Sequence, residues 1–144
     1  MRQMETGLRH RLRRAARQMS SQHEHLGTLI QAIADAAEVG QAAKVEESVD
    51  RLRGAIEAHF SLEDDIFFPA LHGLHPETGR ELHALMREHV DYLEDLARLR
   101  EQMATGTLAA FAEGFEAFSQ SIAAHERREE RLVASLADLF DAIR

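Results

Sequence analysis

The chain has 144 residues, 44% of them hydrophobic, with no cysteine, nine histidines and a formal charge of −8. That length suffices for one domain with its own core, read as spanning 1–144; the missing cysteines exclude disulfides, thiolate metal sites and cysteine nucleophiles, and the negative balance argues against nucleic acid as a partner. No apolar run approaches the roughly 18 residues of a membrane span and no signal peptide opens the chain, so a cytoplasmic protein with no membrane partner is expected.

Two prolines, no tryptophan and abundant Ala, Leu, Glu and Arg predict an all-α protein. The first helix is read over 6–39, with Leu8, Leu12, Ala16, Met19, Leu26, Ile30, Ile33 and Ala37 on one face. The stripe requires an occupant between Met19 and Leu26, and that occupant is His23. His25, the alternative first-helix candidate, falls more than about 100° away, toward water or a flank. Ser21 and Glu24 fit a capping box that would interrupt the helix, but the continuous stripe favours one long helix. The arginines at 2, 9, 11, 13, 14 and 17 read as a solvated face.

Gly40 stops the first helix. The second, 42–71, carries Val45, Val49, Leu52 and Ile56, and the same spacing continues through His59, Glu63 and Ile66. An imidazole and a carboxylate thus take core positions one turn apart. A loop punctuated by Gly73, Pro76 and Gly79 follows, with His72 and His75 read as exposed. The third helix, 76–104, has Leu82, Leu85, His89, Tyr92 or Leu93, Leu96 and Met103 on its stripe and His83 off it. After Thr105-Gly106-Thr107, the fourth helix, 107–143, runs Phe111, Phe115, Phe118, Ile122, His125, Glu129, Leu132 or Val133, Leu136 and Phe140. A His and a Glu again replace apolar residues.

Short connections imply an up-down-up-down antiparallel four-helix bundle. Counted from the end that holds the first and third turns, His23 and His89 lie about 17 residues down and His59 and His125 about 19, a spread of about 3 Å. Glu63 and Glu129 sit one turn further. Six inward polar residues therefore converge on one layer, and buried carboxylates require compensation. Imidazole and carboxylate without thiolate suit iron, manganese or zinc. With two His on each of two ions and both Glu bridging, together with a bridging hydroxide, each ion keeps an open position. Beyond this layer the first and fourth helices overrun the others, so that Leu8, Leu12, Leu136, Leu139, Phe140 and Ile143 either cover one another or make a homodimer contact.

These residues resemble the hemerythrin-like, or HHE cation-binding, family over about residues 20–140, through His23-x-x-Leu26, His59-Phe-Ser-Leu-Glu63 with Ile66-Phe67-Phe68-Pro69, Glu88-His89 and His125-x-x-x-Glu129-Glu130. The resemblance implies a non-haem di-iron centre with an oxo or hydroxo bridge, held by His23, His59, Glu63, His89, His125 and Glu129. It implies small partners such as O2, H2O2 or NO. Position 85 is Leu where oxygen carriers have a fifth histidine, and the acid follows His125 by four residues rather than five. The Phe-Pro that follows the acids in many members is missing from the fourth helix. The chain is thus more similar to the four-His, two-Glu members than to the oxygen carriers. The same ligands serve three expected uses: reacting with or sensing O2, peroxide or NO; iron storage or delivery; and catalase- or peroxidase-like turnover. Glu88, Asp64 and Glu130 are candidates to orient the imidazoles. Tyr92 is read as core filler, with donation to a bound oxygen species as its alternative.

Overall fold

A computed structural model of the chain describes residues 2–142, with side chains at 6, 7 and 9–136. The helices are α1 (Arg2–Glu38), α2 (Ala42–Leu62), α3 (Phe68–Leu74), α4 (Gly79–Thr105) and α5 (Leu108–Ala142). A π-helical turn, Glu63–Phe67, joins α2 to α3, and a 3₁₀ turn, Pro76–Thr78, leads into α4. With α2, the π turn and α3 forming one rod, these elements make the expected four-helix bundle. Each rod packs on two neighbours, in the ring α1, α2, α4, α5 and back to α1. No helix among the described residues is long and apolar enough to cross a membrane.

The core is divided in two. Leu26, Ile33, Val49, Leu52, Ile56, Leu96, Phe111, Phe115 and Ile122 belong to a cluster toward the α1–α2 and α4–α5 turns. Leu12, Met19, Phe67, Phe68, Leu71, Leu82, Leu85 and Leu136 form the other. Between the two lie the buried polar residues His23, His59, Glu63, His89, His125 and Glu129. Leu12 and Leu136 are both buried in this second cluster. Leu8, Leu139, Phe140 and Ile143 lie outside the described side chains.

Two expectations change. Ile66, read as a core position, is 52% exposed, and Phe67 takes its place at 0%. The π turn is the reason: the Phe68 N–H bonds the Glu63 carbonyl, five residues back, so one extra residue enters the turn and the inward face shifts by one position. Pro69 has no N–H to continue an α-helical ladder, and its ring crowds the carbonyl four residues earlier; the wider turn relieves that contact. His75, read as exposed, is half-buried, with Nδ1 3.1 Å from Glu77 Oε1, whereas His72 and His83 are exposed. The capping box at Ser21 does not interrupt α1, which is continuous.

Gly40 ends α1 with φ of +76°. The Gln41 N–H bonds the Ala36 carbonyl at 3.0 Å and the Gly40 N–H bonds the Ala37 carbonyl at 3.2 Å, which together make a Schellman cap. A side chain at that left-handed position is strained, so Gly40→Ala is expected to lower unfolding free energy by about 1 kcal/mol. Chemical denaturation of the metal-free protein measures this, and an unchanged midpoint contradicts the cap's role.

Candidate metal centre

Each helix reaches the polar layer for a local reason. Along α1, α4 and α5 the apolar stripe is simply occupied at one level by His23, His89 and His125, and along α2 by His59. His59/Glu63 and His125/Glu129 are i, i+4 pairs, so each carboxylate stands on the same face as its imidazole, one turn on. His23 is 7% exposed and the other five are 2% or less; His25 faces solvent. The six therefore meet as the helix stripes require. Their ligand atoms form two groups, His23/His59/Glu63/Glu129 and Glu63/His89/His125/Glu129, each with all its atoms within 4.8 Å of one another. Both carboxylates belong to both groups.

All four imidazoles are oriented in the same way. His59 Nδ1 donates to Gln22 Oε1 at 2.8 Å, and His89 Nδ1 to Asp64 Oδ1 at 2.8 Å. His125 Nδ1 lies 3.4 Å from Glu88 Oε1, and His23 Nδ1 3.2 Å from Glu130 Oε1. Arg128 binds both oxygens of Glu88 and fixes that acceptor in turn. Every acceptor is the chain neighbour of a residue in the layer: Gln22 of His23, Asp64 of Glu63, Glu88 of His89, Glu130 of Glu129. A step of one residue turns a helix face by about 100°, from the centre toward one lateral neighbour. The acceptor precedes its partner on α1 and α4 and follows it on the antiparallel α2 rod and α5. Reversing both chain direction and order gives one rotational sense, so the bonds run α1 to α2 to α4 to α5 to α1 in a closed ring. Asp64, Glu88 and Glu130 were candidates from the sequence. Gln22 was not, although its place beside His23 matches that of Glu88 beside His89.

With Nδ1 engaged, each Nε2 turns its lone pair inward. His89 Nε2 and His125 Nε2 are 3.1 Å apart, and His59 Nε2 is 3.2 Å from Glu63 Oε1. Lone pairs at such separations repel unless a cation or proton lies among them. A cation held between them would take up those lone pairs. Among the buried side-chain atoms without a hydrogen bond are His23 Nε2, His59 Nε2 and both oxygens of Glu63 and of Glu129. Orphaned polar atoms are rare in folded proteins and costly; here they concentrate at one point. The residues fit a pair of cations.

In the absence of an ion, protons supply the compensation. Burial, and then the neighbouring Glu129 carboxylate, pushes the Glu63 carboxyl up to about 12. Burial also opposes ionisation of Glu129, but the Glu63 carboxyl and the His125, His23 and His89 imidazoles around it hold it below the usual carboxylate range. Burial, followed by repulsion from the His23 imidazole, pushes His59 down to about 3, so it is a neutral donor. For His23 burial is outweighed by the carboxylates of Glu129, Glu126 and Glu130, and its pKa is raised.

The surroundings differ between the halves. Phe60 stacks on His89 at 3.9 Å and 8°, and Phe68 lies nearly parallel to the same ring at 5.8 Å. Tyr92 meets His125 edge-on at 5.2 Å. Its hydroxyl donates to the Ser121 carbonyl at 2.9 Å, which favours the core-filler reading over donation into the centre. At the His23 edge stands Glu126, half-buried, its carboxyl raised to about 7 chiefly by burial. Sequence reasoning missed Phe60 and Glu126. Phe60 lies four residues after Ile56 and Glu126 four after Ile122, helical spacings that could have found both.

The family model described as the Hemerythrin HHE cation binding domain matches residues 14–137. No curated protein and no solved structure matches the chain.

Protons held only by the folded centre make stability depend on pH. Glu63 rises from 4.5 to about 12 on folding and His23 rises from 6.5, so above pH 7 the native state binds more protons than the unfolded chain. Stability of the metal-free protein therefore falls as pH rises from about 7 to 9, by up to about 1.4 kcal/mol per pH unit for each such proton. His59 acts in the opposite sense, but only between about 3 and its ordinary 6.5. Thermal melts across that range are expected to show the decline without metal and to lose it once a divalent cation replaces the protons. Parallel curves for the two forms contradict this account.

Proposed function

The chain belongs to the hemerythrin HHE cation-binding family, and from that premise we propose that it is a non-haem di-iron protein whose centre reacts with or senses dioxygen, peroxide or nitric oxide. One observation carries the reading: the two four-residue groups share Glu63 and Glu129. Two carboxylates shared between adjacent ions would spread their charge, and two His with two carboxylate oxygens would leave room for a small ligand at each. A structural zinc site is closed by four ligands of its own and has no need of a second group. Hard carboxylates with imidazoles and no thiolate suit iron.

His23, His59, Glu63, His89, His125 and Glu129 would hold the ions. Bound iron would supply reversible one-electron chemistry and an open position for a diatomic molecule or peroxide. The chain's own contribution is orientation and exclusion of water. Gln22, Asp64, Glu88 and Glu130 fix the imidazole tautomers, and Phe60, Phe68 and Tyr92 keep the His89/His125 side dry. Leu85 stands one turn from His89, buried in the apolar cluster, which supports a four-histidine centre over the five-histidine one of oxygen carriers.

Elemental analysis of protein purified without added metal, paired with its near-ultraviolet and visible spectrum, tests the reading. About two irons per chain are expected, with charge-transfer absorption that responds to peroxide or nitric oxide. One zinc, or no iron even after anaerobic ferrous reconstitution, overturns it. Glu129→Gln should leave the bundle helical by circular dichroism yet hold at most about one iron, because this residue belongs to both groups.

A further inference from the structure

The two halves of the centre have the same ligand types but different supports. On the His89/His125 side the Nδ1 acceptors are carboxylates, Asp64 and Glu88, with side chains 30% and 25% exposed. Arg128 clamps Glu88, and Phe60 and Phe68 stack on His89. On the His23/His59 side one acceptor is the neutral amide of Gln22. The other is Glu130, whose side chain is 53% exposed. Glu126, at the same edge, is half-buried and makes no hydrogen bond among the described residues. His23 is also the most exposed of the six at 7%.

An anionic acceptor on Nδ1 makes an imidazole a stronger donor than an amide does, and such outer partners commonly alter metal affinity by about 10–100-fold. A dry surround strengthens the attraction between a cation and those carboxylates. Arg128 offsets part of the Glu88 charge, so the charge difference rests chiefly on Asp64 against Gln22, and it acts in the same direction as the dry surround. Resting on the di-metal reading above, we propose that the halves are unequal by construction: the His89/His125 half binds first and retains its ion, the His23/His59 half is exchangeable, and Gln22 is the positioning residue that sets the difference. The arrangement gives the centre one anchored ion and one that can be loaded, lost or replaced at a polar edge.

Two binding steps alone would not establish this, because repulsion between ions in a symmetric site also separates them. Single-half variants remove that ambiguity. His23→Ala leaves the aromatic half intact and His125→Ala leaves the polar one, and each is titrated anaerobically with Co²⁺ and with Fe²⁺ by calorimetry and ligand-field absorption. His23→Ala is expected to bind one ion about 10-fold or more tightly than His125→Ala does. Adding Gln22→Glu to His125→Ala should recover about 10-fold, whereas Asp64→Asn added to His23→Ala should lose a similar factor. Circular dichroism melts of each metal-free variant verify folding, and the near-isosteric Gln22→Glu preserves size while changing only charge. Equal affinities in the two single-half variants, or no gain from Gln22→Glu, overturn the proposal. If wild type binds no ion of either metal, the di-metal reading itself fails; if it binds two and the single-half variants are equivalent, only the asymmetry fails.

Discussion

Burial of two carboxylates among four imidazoles, between two apolar clusters, is the constraint on which the rest of this bundle depends. Glu63 and Glu129 are both 1% exposed or less, and isolated charges in such surroundings cost several kcal/mol each. Nothing in the apolar clusters can offset that. Compensation comes from inside the layer, as protons on Glu63 and His23 or as cations that replace them. The neutral His59 and the ionised Glu129 are the same balance seen from its other members. A site built this way is poised for metal because each proton it holds is displaced by a cation of higher charge.

The closed ring of Nδ1 bonds explains how four long helices keep their imidazoles aimed at one point. Each rod contributes a residue to the layer and, next to it in sequence, an acceptor for the following rod. The fold and the site are consequently not separable. Rotating one helix by a single residue would remove both its own ligand and its neighbour's support. The π turn is part of the same economy: its wide ring places Glu63 at the centre and Asp64 toward α4, then brings Phe67 and Phe68 inward where a regular helix would have put Ile66.

Chemical symmetry in the ligands conceals physical asymmetry around them. Two histidines and two shared carboxylates describe either half, yet one is walled by aromatic rings and backed by Asp64 and the Arg128-bound Glu88, and the other opens toward Gln22, Glu126 and Glu130. Differences of this kind act on the imidazoles of each half separately, although the ligand types are the same. The dry wall of Phe60, Phe68 and Tyr92 belongs to the apolar clusters and positions His89 and His125 through packing.

Helical periodicity by itself determined the all-α class, the four-helix count and the six residues that point inward at one depth, because a 3.6-residue repeat reports which face of a helix meets the core. Antiparallel connectivity converted those faces into a single layer, and His23 was separable from His25 on angle alone. What lies to the left or right of each inward residue is a different question, answered only when neighbours are in place. Gln22 did not stand out, since a lateral contact depends on which helix packs alongside. The tertiary structure also turned the Tyr92 hydroxyl to the Ser121 carbonyl. It moved the core position from Ile66 to Phe67, because a π turn breaks the very period from which Ile66 had been read.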